Sequence, residues 1–125
     1  MRLLLARHPD RLSARHPLII EEFLELVYEG KVEAVHAMIT MLSDLHVHGR
    51  NSRYLRNLAG TPLWELKTQS RGGVKGGSRV YLFVTQYDEA GIVNCEVKDE
   101  DGASTQKLKL VLQVLRAYTA GEPVF

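Results

Sequence analysis

Cysteine, proline and long apolar runs are all scarce in this sequence of 125 residues. The single cysteine, Cys95, excludes an intramolecular disulfide and any multi-cysteine zinc site. It has no histidine near it in sequence to serve as a base, so it is expected to be a small buried residue within a strand rather than a nucleophile. No apolar run approaches the roughly 20 residues needed to span a bilayer. The opening Met-Arg-Leu-Leu-Leu-Ala is too short for a signal peptide before Arg7, His8 and Asp10 follow, and the expectation is a cytoplasmic protein with no membrane contact. Metal-ligand spacing is missing too. His46 and His48, two apart near a helix end, do not share a helical face, His36 is ten residues upstream of His46, and neither metal nor cofactor is expected.

What is present is ordinary in amount and uneven in placement. A hydrophobic content of 45% and a charged content of 25% describe a globular chain, and the length suits one core, hence a single domain over 1–125. The formal net charge is only +1, but residues 50–84 carry seven Lys/Arg against one Asp/Glu. Residues 1–49 carry five against seven, and 85–125 four against seven. The middle third is therefore a basic segment between two acidic ones, a distribution that suits a phosphate-bearing or acidic partner. A solvated basic surface is the plainer alternative.

Periodicity divides the chain. Residues 2–6 suit either a short strand or the start of a helix. After Pro17, apolar residues recur at spacing four (Ile19, Phe23, Val27 and Ile20, Leu24) until Gly30, which predicts an amphipathic helix. A second helix follows, with Val32, Val35, Ile39, Leu42 and Leu45 on its buried side and Gly49 at its end, so the two form a helical hairpin. Turns are expected at 49–52 and 60–62. Strands are expected at 63–68, 80–84 and 92–98, with a glycine-rich hairpin loop at 71–77 and a turn at 88–91. The loop lacks the Gly-Lys-Ser/Thr order of a nucleotide-binding loop, and a strand rather than a helix follows it. After an acidic loop at 99–102, Ser104 or Thr105 can cap a last helix with Leu108, Val111, Leu112 and Leu115 on one stripe. Leu110 and Val114 add apolar surface on another side, so that helix is buried on more than one side or covered by a partner.

Strand parity sorts the side chains of residues 63–98 onto two faces. With Trp64, Leu66, Val80, Leu82, Val84, Val93, Cys95 and Val97 against the helices, an exposed face receives Glu65, Lys67, Arg79, Tyr81, Phe83, Asn94, Glu96 and Lys98. This assignment holds as long as no bulge interrupts a strand. Lys67, Arg79, Tyr81 and Lys98, beside a loop bearing Arg71 and Lys75, can receive a phosphodiester. Equally, Glu65 and Glu96 can simply neutralise the cations across the sheet.

The run Tyr54-Leu55-Arg56-Asn57-Leu58, then Leu63-Trp64-Glu65-Leu66-Lys67, then Ser78-Arg79-Val80-Tyr81-Leu82-Phe83 resembles the core of RelE/HigB-like toxins of type II toxin–antitoxin systems, in particular the phage-derived HigB-like branch. The resemblance spans roughly residues 18–120 and follows the same order of elements, with Lys67 standing where the pattern has an arginine. It implies an α+β, RelE-like fold in which an N-terminal helical hairpin packs on a small twisted antiparallel sheet, with a C-terminal helix. It also implies metal-independent endoribonuclease cleavage of mRNA on the ribosome, restrained by a cognate antitoxin protein. Carried over by position, Arg79 would stabilise the phosphate, Lys67 would contact it or serve as a weak base, and Lys98 falls where the family has its lysine-rich strand end. Strand parity adds Tyr81 as a catalytic residue, and Glu65 or Glu96 is the base in the alternative assignment. Arg56, Arg71 and Lys75 would bind RNA. A relative that is not catalytic and binds a protein target or an antitoxin on the same fold is the second implication.

Overall fold

The computed structural model describes residues 1–68, 77–98 and 103–125. Helix α1 (Leu18–Tyr28) and helix α2 (Val32–His48) form the expected hairpin around Gly30, which adopts φ +82°, a left-handed turn conformation that glycine reaches without strain. The strands are β1 (Leu3–Leu5), β2 (Leu55–Asn57), β3 (Leu63–Lys67), β4 (Gly77–Val84) and β5 (Ala90–Lys98), and α3 (Thr105–Thr119) closes the fold. They make one five-stranded sheet in the order β1-β5-β4-β3-β2.

The architecture is α+β, as expected, but the sheet is mixed rather than antiparallel. Residues 2–6 resolve into strand β1, which runs parallel to β5 with Leu3 opposite Ala90 and Leu5 opposite Ile92. Strand β2 adds an antiparallel edge within a segment read only as lying between two turns. Both are three residues long, too short for an alternation of apolar and polar residues to mark them.

Helices cover both faces of the sheet. On one face α1 and α2 bury Ile19, Met38, Met41 and Leu45 against Leu66, Val80, Leu82, Ile92 and Cys95. On the other, α3 buries Val111, Val114 and Ala117 against Leu63, Tyr81, Phe83 and Val93. Each fully buried valine or leucine contributes roughly 1.5–3 kcal/mol, so these two layers hold the sheet between them. The face expected to be exposed is therefore largely an interior one.

Helical phase differs from the expectation in a consistent way. In α2 the buried positions are Val35, Met38, Met41 and Leu45, while Val32 and Ile39 are exposed. Two unbranched methionines fill the space over the sheet, while Val32 and Ile39 turn outward. In α3 the buried line runs through Val111, Val114 and Ala117 rather than along the leucine stripe.

A bulge in β5 corrects one parity assignment. Tyr81 is opposite Asn94, but the next residue, Leu82, is opposite Ile92, leaving Val93 as the extra residue. Val93 consequently joins Tyr81 and Phe83 under α3 instead of facing the hairpin, while Asn94, Glu96 and Lys98 keep the side that alternation predicts. Just before the bulge, Gly91 lies opposite Phe83, and a Cβ added there would stand 2.5 Å from Cζ of the ring. Gly91→Ala is accordingly expected to destabilise the protein by about 1–3 kcal/mol, measured by denaturant unfolding. An unchanged midpoint would mean that the ring has room to retreat.

Candidate functional site

The register of the central strands sets two cross-strand rows on the α3 side of the sheet. One runs Arg56, Glu65, Tyr81, Asn94 across β2, β3, β4 and β5. The next runs Lys67, Arg79, Glu96, and Lys98 lies at the far end of β5 opposite Gly77. Side chains directly opposite on one face have Cβ atoms about 4.5–5.5 Å apart, close enough for ion pairs and hydrogen bonds. Lys67, Arg79, Tyr81 and Lys98 are thus brought onto one face, as parity predicts.

Their exposure is not what the sequence led one to expect. Arg79 is 2% exposed and Tyr81 0%. Glu65 at 6% and Asn94 at 1% are buried beside them. Lys67 and Lys98 are half-buried and Arg56, on the edge strand, is exposed. The buried members lie where α3 crosses the sheet, and the reachable ones lie towards its margins. Arg71 and Lys75 lie outside the described residues, as do Asp99, Glu100 and Asp101.

The electrostatics are those of a mostly desolvated cluster. A guanidinium nitrogen of Arg79 donates to a Glu65 carboxylate oxygen at 3.4 Å. Lys98 Nζ is 3.7 Å from Glu96 Oε1. The cations therefore face carboxylates, and the charge-neutralised alternative describes part of this surface. A buried pair of this kind adds little net stability, because desolvating both ions offsets most of their attraction.

Three other polar atoms are left over. Tyr81 Oη, Asn94 Oδ1 and Glu96 Oε2 are buried and make no well-formed hydrogen bond among the described residues, although the Tyr81 hydroxyl interacts weakly with the Glu96 carboxylate. Burial, and after it the nearby negative charge of Glu96, raises the Tyr81 pKa, so the phenol keeps its proton at neutral pH. Tyr81 is thereby held in its protonated form, a weaker acid than a free phenol but still able to protonate a more basic alkoxide. Glu96 is the carboxylate acceptor on the same face.

A feature that sequence reasoning missed lies at the margin of this cluster. Glu22 of α1 pairs with Lys107 of α3, and its other oxygen accepts from the Cys95 backbone N–H at 3.1 Å. Burial, only partly offset by Lys107, raises the pKa of the Glu22 carboxyl. The pairing spans 85 residues and two elements that no local pattern connects. Cys95 itself is buried, as expected of a strand cysteine, and its thiol pKa is pushed up to about 12, chiefly by burial and then by Glu22. Such a thiol is unreactive at neutral pH.

Among the described residues no group of three or more His, Cys, Asp or Glu can hold a metal ion, and no helix is long and apolar enough to cross a membrane. His46 Nδ1 sits 2.9 Å from the Met1 carbonyl oxygen, and His48 faces Asp44, so the two histidines turn to different neighbours. No protein-family model matches the sequence, and no curated protein or solved structure does either.

Proposed function

We propose that this chain is the toxin of a RelE/HigB-like toxin–antitoxin pair, an endoribonuclease that cuts translated mRNA on the ribosome and is restrained by a cognate antitoxin. One observation carries the reading: Lys67, Arg79, Tyr81, Glu96 and Lys98 share a sheet face in adjacent cross-strand rows. Such a set contains each group that cleavage by a neighbouring ribose hydroxyl requires.

In that reaction the 2′-oxygen attacks the adjacent phosphorus as its proton passes to a base. The bond from phosphorus to the 5′-oxygen then breaks, and that oxygen takes up a proton. The products are a 2′,3′-cyclic phosphate and a 5′-hydroxyl. Glu96 is the base on this account, Arg79 stabilises the charge on the phosphorane, and Tyr81 or Lys98 protonates the leaving oxygen. Lys67 holds the phosphate as a point charge, without the two-pronged grip of an arginine. Arg56, exposed on the edge strand, extends the path for the RNA backbone.

A second reading has an observation of its own. The burial of Arg79 against Glu65 suits a structural ion pair, and hence a protein of this fold that binds a protein target without cutting RNA. Controlled expression followed by mapping of mRNA 5′ ends separates the two. Growth arrest with new ends is the outcome expected here, and arrest without them would hand the face to the second reading.

A further inference from the structure

The polar groups on the α3 side of the sheet lie beneath the start of that helix. Asn94 Nδ2 donates to the Lys107 carbonyl at 3.1 Å, and Ala103 and Leu108 pack in the same cluster as Tyr81. The two halves of α3 are held differently. Its second half is anchored by apolar contact: Val111, Val114 and Ala117 are buried, and Tyr118 stacks at 5.8 Å from Phe83 and 5.4 Å from Phe125. Its first turn has weak local support. Ser104 makes no side-chain capping bond among the described residues, no acidic residue stands in the first turn, and Lys107 places a cation near the positive end of the helix dipole.

What fastens that end is Lys107. Strand β1 pairs with β5 only as far as Ile92, so the edge of β5 beyond it has no strand partner among the described residues. Glu22 reaches over this edge from α1, accepting from the Cys95 N–H and pairing with Lys107. A pocket of about 170 Å³ opens there, lined in part by Glu22, Glu25, Cys95, Glu96 and Lys107. One corner of the domain is therefore closed by an ion pair, next to a buried tyrosine hydroxyl that interacts with Glu96.

We infer that the start of α3, residues 105–110, is a removable cover over Tyr81, latched by Lys107 between Glu22 and Asn94, and that release of the latch opens the sheet face to an RNA strand. The functional half of this statement rests on the reading of that face as an RNA-cleaving site. The opening itself does not. Local opening of a weakly capped helix end costs far less than global unfolding, and it leaves the apolar second half of α3 as the hinge.

The test reads access to Tyr81 directly. Acetylation by N-acetylimidazole, followed by peptide mass spectrometry, is compared at Tyr81 and at Tyr28, which is 93% exposed and reports reagent activity. Glu22→Gln keeps an oxygen for the Cys95 N–H but removes the charge that holds Lys107. It is expected to raise Tyr81 labelling roughly tenfold, with faster hydrogen exchange over 105–110 and none over 114–119. The converse variant, Glu22→Cys with Lys107→Cys in a Cys95→Ala background, locks the corner when a bis-methanethiosulfonate reagent bridges the two thiols across the span of the ion pair it replaces. Labelling of Tyr81 and cleavage of RNA are both expected to stop on bridging and return on reduction. Equal labelling in locked and reduced protein, or a rise in Glu22→Gln that spreads evenly over all of α3, would overturn the cover. A lock that controls labelling while neither form cuts RNA would leave the cover standing and reject the nuclease.

Discussion

Tyr81→Phe is expected to change the stability of the protein by about 1 kcal/mol or less, while lowering RNA cleavage about a hundredfold or more. The two halves of this result come from the same atom. Tyr81 is fully buried, and its hydroxyl makes no well-formed hydrogen bond among the described residues, only a weaker interaction with Glu96. Folding therefore strips that hydroxyl of water and returns little, so its removal costs little stability. The ring remains in the cluster formed with Phe83, Val93, Val111 and Val114, and the packing is unchanged. The hydroxyl has value chiefly if something else uses it, and a phenol kept protonated by burial beside Glu96 can still protonate a more basic leaving alkoxide. Denaturant unfolding and single-turnover cleavage measure the two quantities separately. A larger loss of stability would mean that the hydroxyl is firmly bonded within the fold, and unchanged cleavage would remove Tyr81 from the chemistry.

The second large effect is at the buried ion pair. Arg79→Met is expected to destabilise the protein by about 3–5 kcal/mol, because it leaves the Glu65 carboxylate in the interior without the guanidinium facing it. The double substitution Arg79→Met with Glu65→Leu is expected to recover most of that loss, since a matched apolar pair has no ion to desolvate. Single and double variants together form a thermodynamic cycle whose coupling should reach about 2 kcal/mol or more. A cost under about 1 kcal/mol for Arg79→Met alone would show that water reaches the pair, as it does at surface salt bridges. The magnitude bears on function as well. A large cost means that Arg79→Ala can lose activity by unfolding, which is why Tyr81→Phe is the cleaner probe of the site.

Much of the architecture was legible because the signals were long. The helical hairpin, the three central strands and the last helix all show in periodicity and glycine placement, and they occur where expected. The short strands β1 and β2 were not legible, since three residues carry no readable alternation. Nor was the bulge at Val93, which shifts one side chain from one face to the other without any local mark in the sequence. The shared face of the candidate site's side chains was legible, and its burial was not. Parity brings Lys67, Arg79, Tyr81 and Lys98 together, but it cannot say what lies above them. The clue was in α3, whose apolar residues on more than one side ask for a surface to cover. That surface is the face bearing Tyr81. The Glu22–Lys107 pair could not be anticipated, because it depends on two helices meeting around the open edge of β5.

The central claim is that this sheet face cleaves RNA through the neighbouring ribose hydroxyl. The most direct measurement is the chemistry of the ends produced when purified protein acts on ribosomes carrying mRNA. The account predicts cuts that leave a 2′,3′-cyclic phosphate upstream and a 5′-hydroxyl downstream, lost in Tyr81→Phe at nearly unchanged stability. Intact mRNA, or cuts that leave a 5′-phosphate, would contradict it.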